Sequence, residues 1–180
     1  MDMICDDDFG TASVALLKNK KLPAGTFFVE LIFIAEAMAP KALQVGRFLP
    51  PTPIRILLDK SSNNLADNVA FDAFNQQLSA VGRQTASKLA SALQSAIHPM
   101  ITSAQGMAQT KLETLRAESL EKMQTALGEE QARLTALKQI NPNIRDEELS
   151  FYDKQRSELT TYIEKAQVKL DAIRLIVVSH

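Results

Sequence analysis

Four aspartates crowd the start of the chain, Asp2, Asp6, Asp7 and Asp8, and carboxylates at that density could offer oxygens to a divalent cation. They lack the spaced ligand positions, the central glycine and the closing glutamate of a calcium-binding loop, so a solvated, partly disordered terminus is expected instead. Cys5, beside them, is the single cysteine of 180 residues, which leaves no intrachain disulfide and no multi-cysteine zinc site. No Lys, Arg or His neighbours it in sequence to favour a thiolate, and an inert thiol is expected. The two histidines, His98 and His180, are far apart in sequence, with no H-E-x-x-H pair and no G-x-S-x-G elbow anywhere. The G-x-x-x-x-G-K-[ST] loop that cradles nucleotide phosphates is absent too. The expected catalytic, cofactor-binding and metal-ligating residues of this chain are therefore none, and the chain alone is not expected to hydrolyse ATP.

The remaining candidate chemistry is electrostatic. Lys111, Arg116, Lys122, Arg133, Lys138 and Arg145 would suit an edge that contacts phosphates, but Glu113, Glu118, Glu121, Glu129 and Glu130 are interleaved with them. A solvated face laced with salt bridges is the expected result. The whole chain carries 20 basic and 21 acidic residues, a formal net charge of -1, and so exerts no global pull on nucleic acid or anionic membranes.

The elements that must position these residues divide into two styles. Residues 11–60 read mainly as strands: Ser13 to Lys18 (SVALLK) and Thr26 to Met38 form a hairpin through the polar loop Asn19 to Gly25, and Ile54 to Leu58 (IRILL) follows a proline-rich lead-in, Phe48 to Pro53. Within the long strand Phe27, Val29, Leu31 and Phe33 share one apolar face, which should be buried, while Glu30 falls on the other. Arg55 likewise lies opposite Ile54, Ile56 and Leu58. Residues 64–173 read mainly as helix. Phe71, Phe74, Leu78 and Val81, then Leu89, Leu93, Ile97 and Ile101, keep three-and-four spacing, with a kink or break expected near His98 because Pro99 removes a helical hydrogen bond.

Heptad spacing at Leu120, Met123, Leu127, Leu134 and Leu137, and again at Leu159, Ile163, Ala166, Leu170 and Ile173, predicts an antiparallel helical hairpin about the turn Asn141-Pro142-Asn143. Asn143 is the expected cap, with Asp146, Glu147 and Glu148 in the first turn of the second helix. A helix from Ile144 to Leu170 would be about 40 Å long, so part of the hairpin should project beyond a small sheet. Residues 174–179 (RLIVVS) favour a strand that returns to that sheet. The expected fold is α+β: a small antiparallel sheet of N-terminal strands plus the C-terminal strand, with long helices, in a single domain over 11–180 behind a flexible segment, 1–10. The apolar stretch at Thr26 to Met38 is too short to span a bilayer and carries Glu30 and Glu36, and no signal peptide is read, so the membrane is excluded as a partner.

Five stretches together resemble one family: LLKNKKLPAG (Leu16 to Gly25), VELIFIAEAMAPKALQ (Val29 to Gln44), RFLPPTPIRILLDK (Arg47 to Lys60), NPNIRDEEL (Asn141 to Leu149) and LDAIRLIVVSH (Leu170 to His180). They look like the C-terminal region of RapA-type proteins, bacterial Swi/Snf-type ATPases that associate with RNA polymerase and recycle it in transcription. The resemblance covers nearly the whole chain, and is weakest over 1–10 and 103–130. It implies a non-catalytic interaction or regulatory domain that follows a helicase-like motor, with ATP, magnesium and most nucleic-acid contact belonging to that upstream motor. No motor motif matches a position here, so no catalytic residue carries over. The implied partners are RNA polymerase and the motor domains of the same protein, and the implied setting is the bacterial cytoplasm, nucleoid-associated through the polymerase. A coiled-coil scaffold or oligomerisation domain is the alternative reading, and an RNA- or DNA-binding module a third.

Overall fold

A computed structural model describes residues 11–141 and 143–180. Along the chain come β1 (Thr11–Lys18), β2 (Phe27–Glu36), two short 3₁₀ turns (Lys41–Leu43 and Val45–Arg47), β3 (Thr52–Leu58), α1 (Phe71–Asn75), β4 (Leu78–Ala80), α2 (Arg83–Ile140), α3 (Asp146–Glu164) and β5 (Gln167–Ser179). The α+β class is as expected. The segment 1–10 and Pro142, with the flexible terminus and part of the turn assigned to them, lie outside the described residues.

The strands form one sheet in the order β3-β2-β5-β1-β4. β1 runs parallel to β5, Thr11 opposite Ala172 and Lys18 opposite Ser179, and antiparallel to β4, Ala15 opposite Ala80. The sheet is therefore mixed rather than antiparallel, and β1 and β2 are not hairpin partners because β5 lies between them. The cause is in β5 itself. Leu175, Ile176, Val177 and Val178 are consecutive and all buried, so β5 is covered on both faces, as suits a strand in the middle of a sheet rather than at its edge. The connection after β1 straddles the end of β5. Asn19 N–H donates to the Ser179 carbonyl at 3.3 Å on one side, while on the other Gly25 N–H donates to Val178 at 3.0 Å and Val178 N–H to Thr26 at 2.7 Å. Gly25 sits there at φ 82°, a conformation that a side chain would strain.

The helical reading from residue 64 onward fails at two places. Leu78–Ala80 is a strand on the edge of β1 rather than a continuation of the Phe71 and Phe74 stripe. Leu170 and Ile173 belong to β5, which begins at Gln167, so their heptad spacing was coincidental: Val168, Leu170 and Ala172 alternate with exposed Gln167, Lys169 and Asp171 at a strand's period of two. Of the kink or break expected near His98, the break does not occur: α2 continues through Pro99. Both Pro99 and Ser95, the residue whose carbonyl loses its helical donor, are exposed, so water can satisfy that carbonyl.

Packing divides the described residues into two compact units: 11–34, Pro53–Thr110 and Lys169–His180 form one, Ala35–Thr52 and Lys111–Val168 the other. In the first unit Val29, Leu31, Ile54, Ile56, Leu175 and Val177 bury one face of the sheet, and Met100, Ala104 and Ala108, at four-residue spacing on α2, are buried in the same unit. On the other face Ala15, Leu17, Leu57, Ile176 and Val178 cluster with Phe74 of α1, flanked by Leu65, Val69 and Leu78. The edge strand β3 tolerates Pro53 for the usual reason, that an edge residue need not donate to a neighbour. The chain after it then covers part of that edge, with Leu65 N–H bonded to the Leu57 carbonyl at 2.7 Å and Leu57 N–H to Asn64 Oδ1 at 3.1 Å.

In the second unit α3 lies antiparallel to the later half of α2. Arg116 reaches the Ala166 carbonyl, Gln131 meets Asp153, and Lys138 pairs with Asp146, so the positions rise along one segment as they fall along the other. The seam buries Leu112, Ser119, Met123 and Leu127 against the helix that carries Leu159 and Ile163. Leu120 is only half-buried, one position off the seam, because Ser119 takes the inward place. Asn143 is not the cap of α3: Asn141 Oδ1 holds its N–H at 3.1 Å in a turn, and Arg145 occupies the capping position. Glu148 accepts the Arg145 N–H at 3.1 Å and returns its own N–H to the Arg145 carbonyl at 3.2 Å, and Asp146, Glu147 and Glu148 do occupy the first turn.

Ile163 is fully buried in this seam. Replacing Ile163 by Asp is expected to lower the unfolding free energy by roughly 3 to 5 kcal/mol, since a charge replaces a buried apolar side chain. Urea unfolding followed by circular dichroism measures it; an unchanged midpoint would mean that the seam does not form.

Candidate functional site

Three strands each carry a charged residue inside an apolar run: Glu30 in FFVELIFIA, Arg55 in TPIRILL and Arg174 in AIRLIVV. Because β2 lies between β3 and β5, the three side chains line up across adjacent strands on the face that also holds Leu57 and Ile176. Glu30 is only 2% exposed. Its Oε1 accepts from Arg55 Nε at 2.7 Å and its Oε2 from Arg174 Nε at 2.8 Å, with a further bond from Arg174 Nη2. Arg55 Nη1 continues to the Val69 carbonyl and, at 3.5 Å, the Ala66 carbonyl, tying down the segment that precedes α1. Both guanidiniums lie near the ring of Phe71, with centroid distances of 5.3 Å for Arg55 and 5.9 Å for Arg174.

A carboxylate so deeply buried costs several kcal/mol unless its oxygens are paired, and here both are. Two guanidiniums surround one carboxylate, so the cluster keeps a formal positive charge, and Arg55 Nη2 is buried with no partner. Beside it lies a half-open cavity of ≈ 160 Å³ lined by Thr11, Ser13, Ile32, Phe71, Ile173 and Arg174, together with Glu30 and Ala172. The sequence reading placed Glu30 and Arg55 on the second faces of their strands but did not join them. The signal was present in the three isolated charges; the pairing was not, because it depends on β5 entering between β1 and β2.

The second unit presents a different surface. The basic residues of the hairpin are partly consumed: Arg116 in the Ala166 carbonyl, Lys138 by Asp146 and Arg156 by Asp153 and Gln131, while Arg47 and Glu130 pair at 2.7 Å. Lys111, Lys122, Arg133 and Arg145 are exposed, but so are Glu113, Glu118, Glu121 and Glu129. The apolar seam also opens toward the turn. Leu134 is half-buried, and Leu137, Ile140 and Phe151 are 46%, 84% and 58% exposed. Phe151 meets Tyr152 edge-on, with ring centres 6.1 Å apart.

The remaining sequence candidates do not assemble. Asp2, Cys5, Asp6, Asp7 and Asp8 lie outside the described residues. His98 is exposed on α2, and His180 Nε2 meets the Leu22 carbonyl at 2.9 Å. Among the described residues no group of three His, Cys, Asp or Glu side chains converges as a metal would require.

The model of RapA_C, the RNA polymerase recycling family C-terminal, matches residues 1–178. The chain belongs to this family. It is a C-terminal domain of an RNA polymerase recycling protein, as the resemblance implied, and the family's name ties that protein to RNA polymerase. No helix among the described residues is long and apolar enough to cross a membrane.

Two outcomes test the electrostatics. Glu30→Ala strands two adjacent guanidiniums and is expected to cost about 3 to 5 kcal/mol, whereas replacing Glu30, Arg55 and Arg174 together by Leu, Met and Leu should cost far less or stabilise. Denaturant titration of the two proteins measures the difference; similar losses in both would mean that the cluster is not an electrostatic unit. Hydrogen bonds from Arg156 and then Gln131 hold the Asp153 carboxyl below the ordinary aspartate range. Its stabilising contribution should be complete above the unfolded value of about 3.9 and vanish as pH falls through the lower folded value. Carbon-detected NMR of the carboxyl should show that low midpoint, and the Asp153→Asn protein should lose less stability than the parent over the same acid range.

Proposed function

We propose that this domain is a non-catalytic interaction and regulatory module of an RNA polymerase-recycling ATPase. ATP, magnesium and most nucleic-acid contact fall to a motor elsewhere in the protein, which works in the bacterial cytoplasm beside the nucleoid. The observation that carries the reading is the exposed end of the hairpin. A seam that buries Met123, Leu127, Leu159 and Ile163 leaves Leu137, Ile140 and Phe151 in water, an arrangement that suits docking to a protein partner. RNA polymerase is the partner that the family role supplies. Nucleic acid is disfavoured there because exposed lysines and arginines alternate with glutamates. The seam itself is filled from within the chain, which takes the main support from the reading as a coiled-coil oligomerisation domain.

Sedimentation of the 180-residue chain with core RNA polymerase, at physiological and raised salt and beside an intact RapA-type protein as positive control, tests the proposal. Binding that survives raised salt is expected, with a loss of about tenfold or more on changing Leu137, Ile140 and Phe151 together to Ser, since apolar anchors dominate such contacts. Binding that falls steeply with salt and ignores the triple change would point to nucleic-acid-like electrostatics instead. No binding while the intact control binds would move the role to the motor.

A further inference from the structure

The cavity beside Phe71 has no part in that proposal, and its chemistry is distinct from the hairpin's. Both oxygens of Glu30 are already engaged, so the second guanidinium of the cluster is left without a compensating charge. Arg174 lines the cavity and spends Nε and Nη2 on Glu30, leaving Nη1 outside the hydrogen bonds of the described residues. Arg55 Nη2 is a buried donor with no acceptor, a second sign that the cluster offers more positive charge and more donors than the chain answers. Ile32, Phe71 and Ile173 give the lining apolar surface, and Thr11 and Ser13, both exposed, add hydroxyl-bearing side chains to it. Phe71 is itself 41% exposed, so its ring is open to an incoming group.

We propose that this cavity binds a carboxylate carried on a short apolar group, with Arg174 as its charged partner, Thr11 and Ser13 as hydroxyl donors, and Phe71, Ile32 and Ile173 as the apolar seat. The charge balance selects an anion, because a cation would meet a net positive cluster whose carboxylate is fully occupied. The walls select an apolar body, because a bare inorganic anion would leave Ile32, Ile173 and Phe71 unused. The hollow, ≈ 160 Å³ and half open, admits a small acid of this kind. Such a group is found either on a free branched-chain acid or at the C-terminal residue of a peptide, and both present the same atoms to Arg174.

The test is an NMR titration of the 180-residue chain with N-acetyl-leucine, isovalerate, N-acetyl-leucinamide and inorganic phosphate. Saturable shifts at Thr11, Ser13 and Ala172 are expected for the first two. N-acetyl-leucinamide, which lacks the charge, should bind about tenfold more weakly or worse, the usual effect of losing a charge-assisted hydrogen bond. Binding of N-acetyl-leucine alone assigns the site to a peptide end, and binding of both acids extends it to free carboxylates. Thr11→Asp, at the exposed rim and outside the Glu30 cluster, should abolish the shifts by placing a carboxylate at the mouth while the unfolding midpoint stays in place. Arg174→Gln should weaken binding similarly; its stability is to be measured beside it. The proposal is overturned if no acid gives saturable shifts, if the amide or phosphate binds as well as N-acetyl-leucine, or if Thr11→Asp leaves binding intact.

Discussion

The buried carboxylate of Glu30 is the constraint around which the first unit is arranged. A single charge placed in the middle of an apolar strand is tolerable only when both oxygens are met, and Arg55 and Arg174 meet them from the strands on either side. That requirement is met by the strand order β3-β2-β5 and by the two arginines that reach Glu30 from the flanking strands. It also reaches beyond the sheet, because Arg55 carries the network into the Val69 carbonyl and toward Phe71. A slip of one residue in β3 or β5 would turn its arginine to the opposite face and leave the carboxylate unpaired. Apolar burial supplies the driving force for this sheet, while the Arg-Glu-Arg row specifies its register.

How far the fold was legible follows from what each residue senses. Period-2 alternation in β2 and β3 depends on local burial, so Val29, Leu31 and Phe33 and the face of Ile54, Ile56 and Leu58 could be read directly. The hairpin seam was legible at Met123, Leu127, Leu159 and Ile163 because heptad spacing is also local. The order of strands was not, since β1 and β2 are close in sequence and only the four consecutive buried residues Leu175 to Val178 hinted that β5 takes the centre. Leu78 and Leu170 show the converse failure: each fits a helical stripe and a strand equally well over a few residues, and tertiary pairing decided for the strand. The charged cluster was visible as three separate anomalies and became a unit only once the topology was known.

The two units show different answers to exposed polarity. In the first, charge is drawn inward and paired; in the second, Arg156, Gln131 and Asp153 bind one another along the hairpin, and much of the remaining charge alternates in sign over its surface. Alternating charge of this kind makes a solvated face laced with salt bridges. What interrupts this pattern is the apolar end at Leu137, Ile140 and Phe151, the surface that we propose docks on RNA polymerase.

Hydrogen exchange of the 180-residue chain, free and mixed with core RNA polymerase, tests that assignment most directly. Slowed exchange concentrated in the amides flanking the turn, from Gln131 to Ile140 and from Ile144 to Phe151, is the expected result. Protection confined to β1, β3 or the first half of α2, with the hairpin end unchanged, would contradict it.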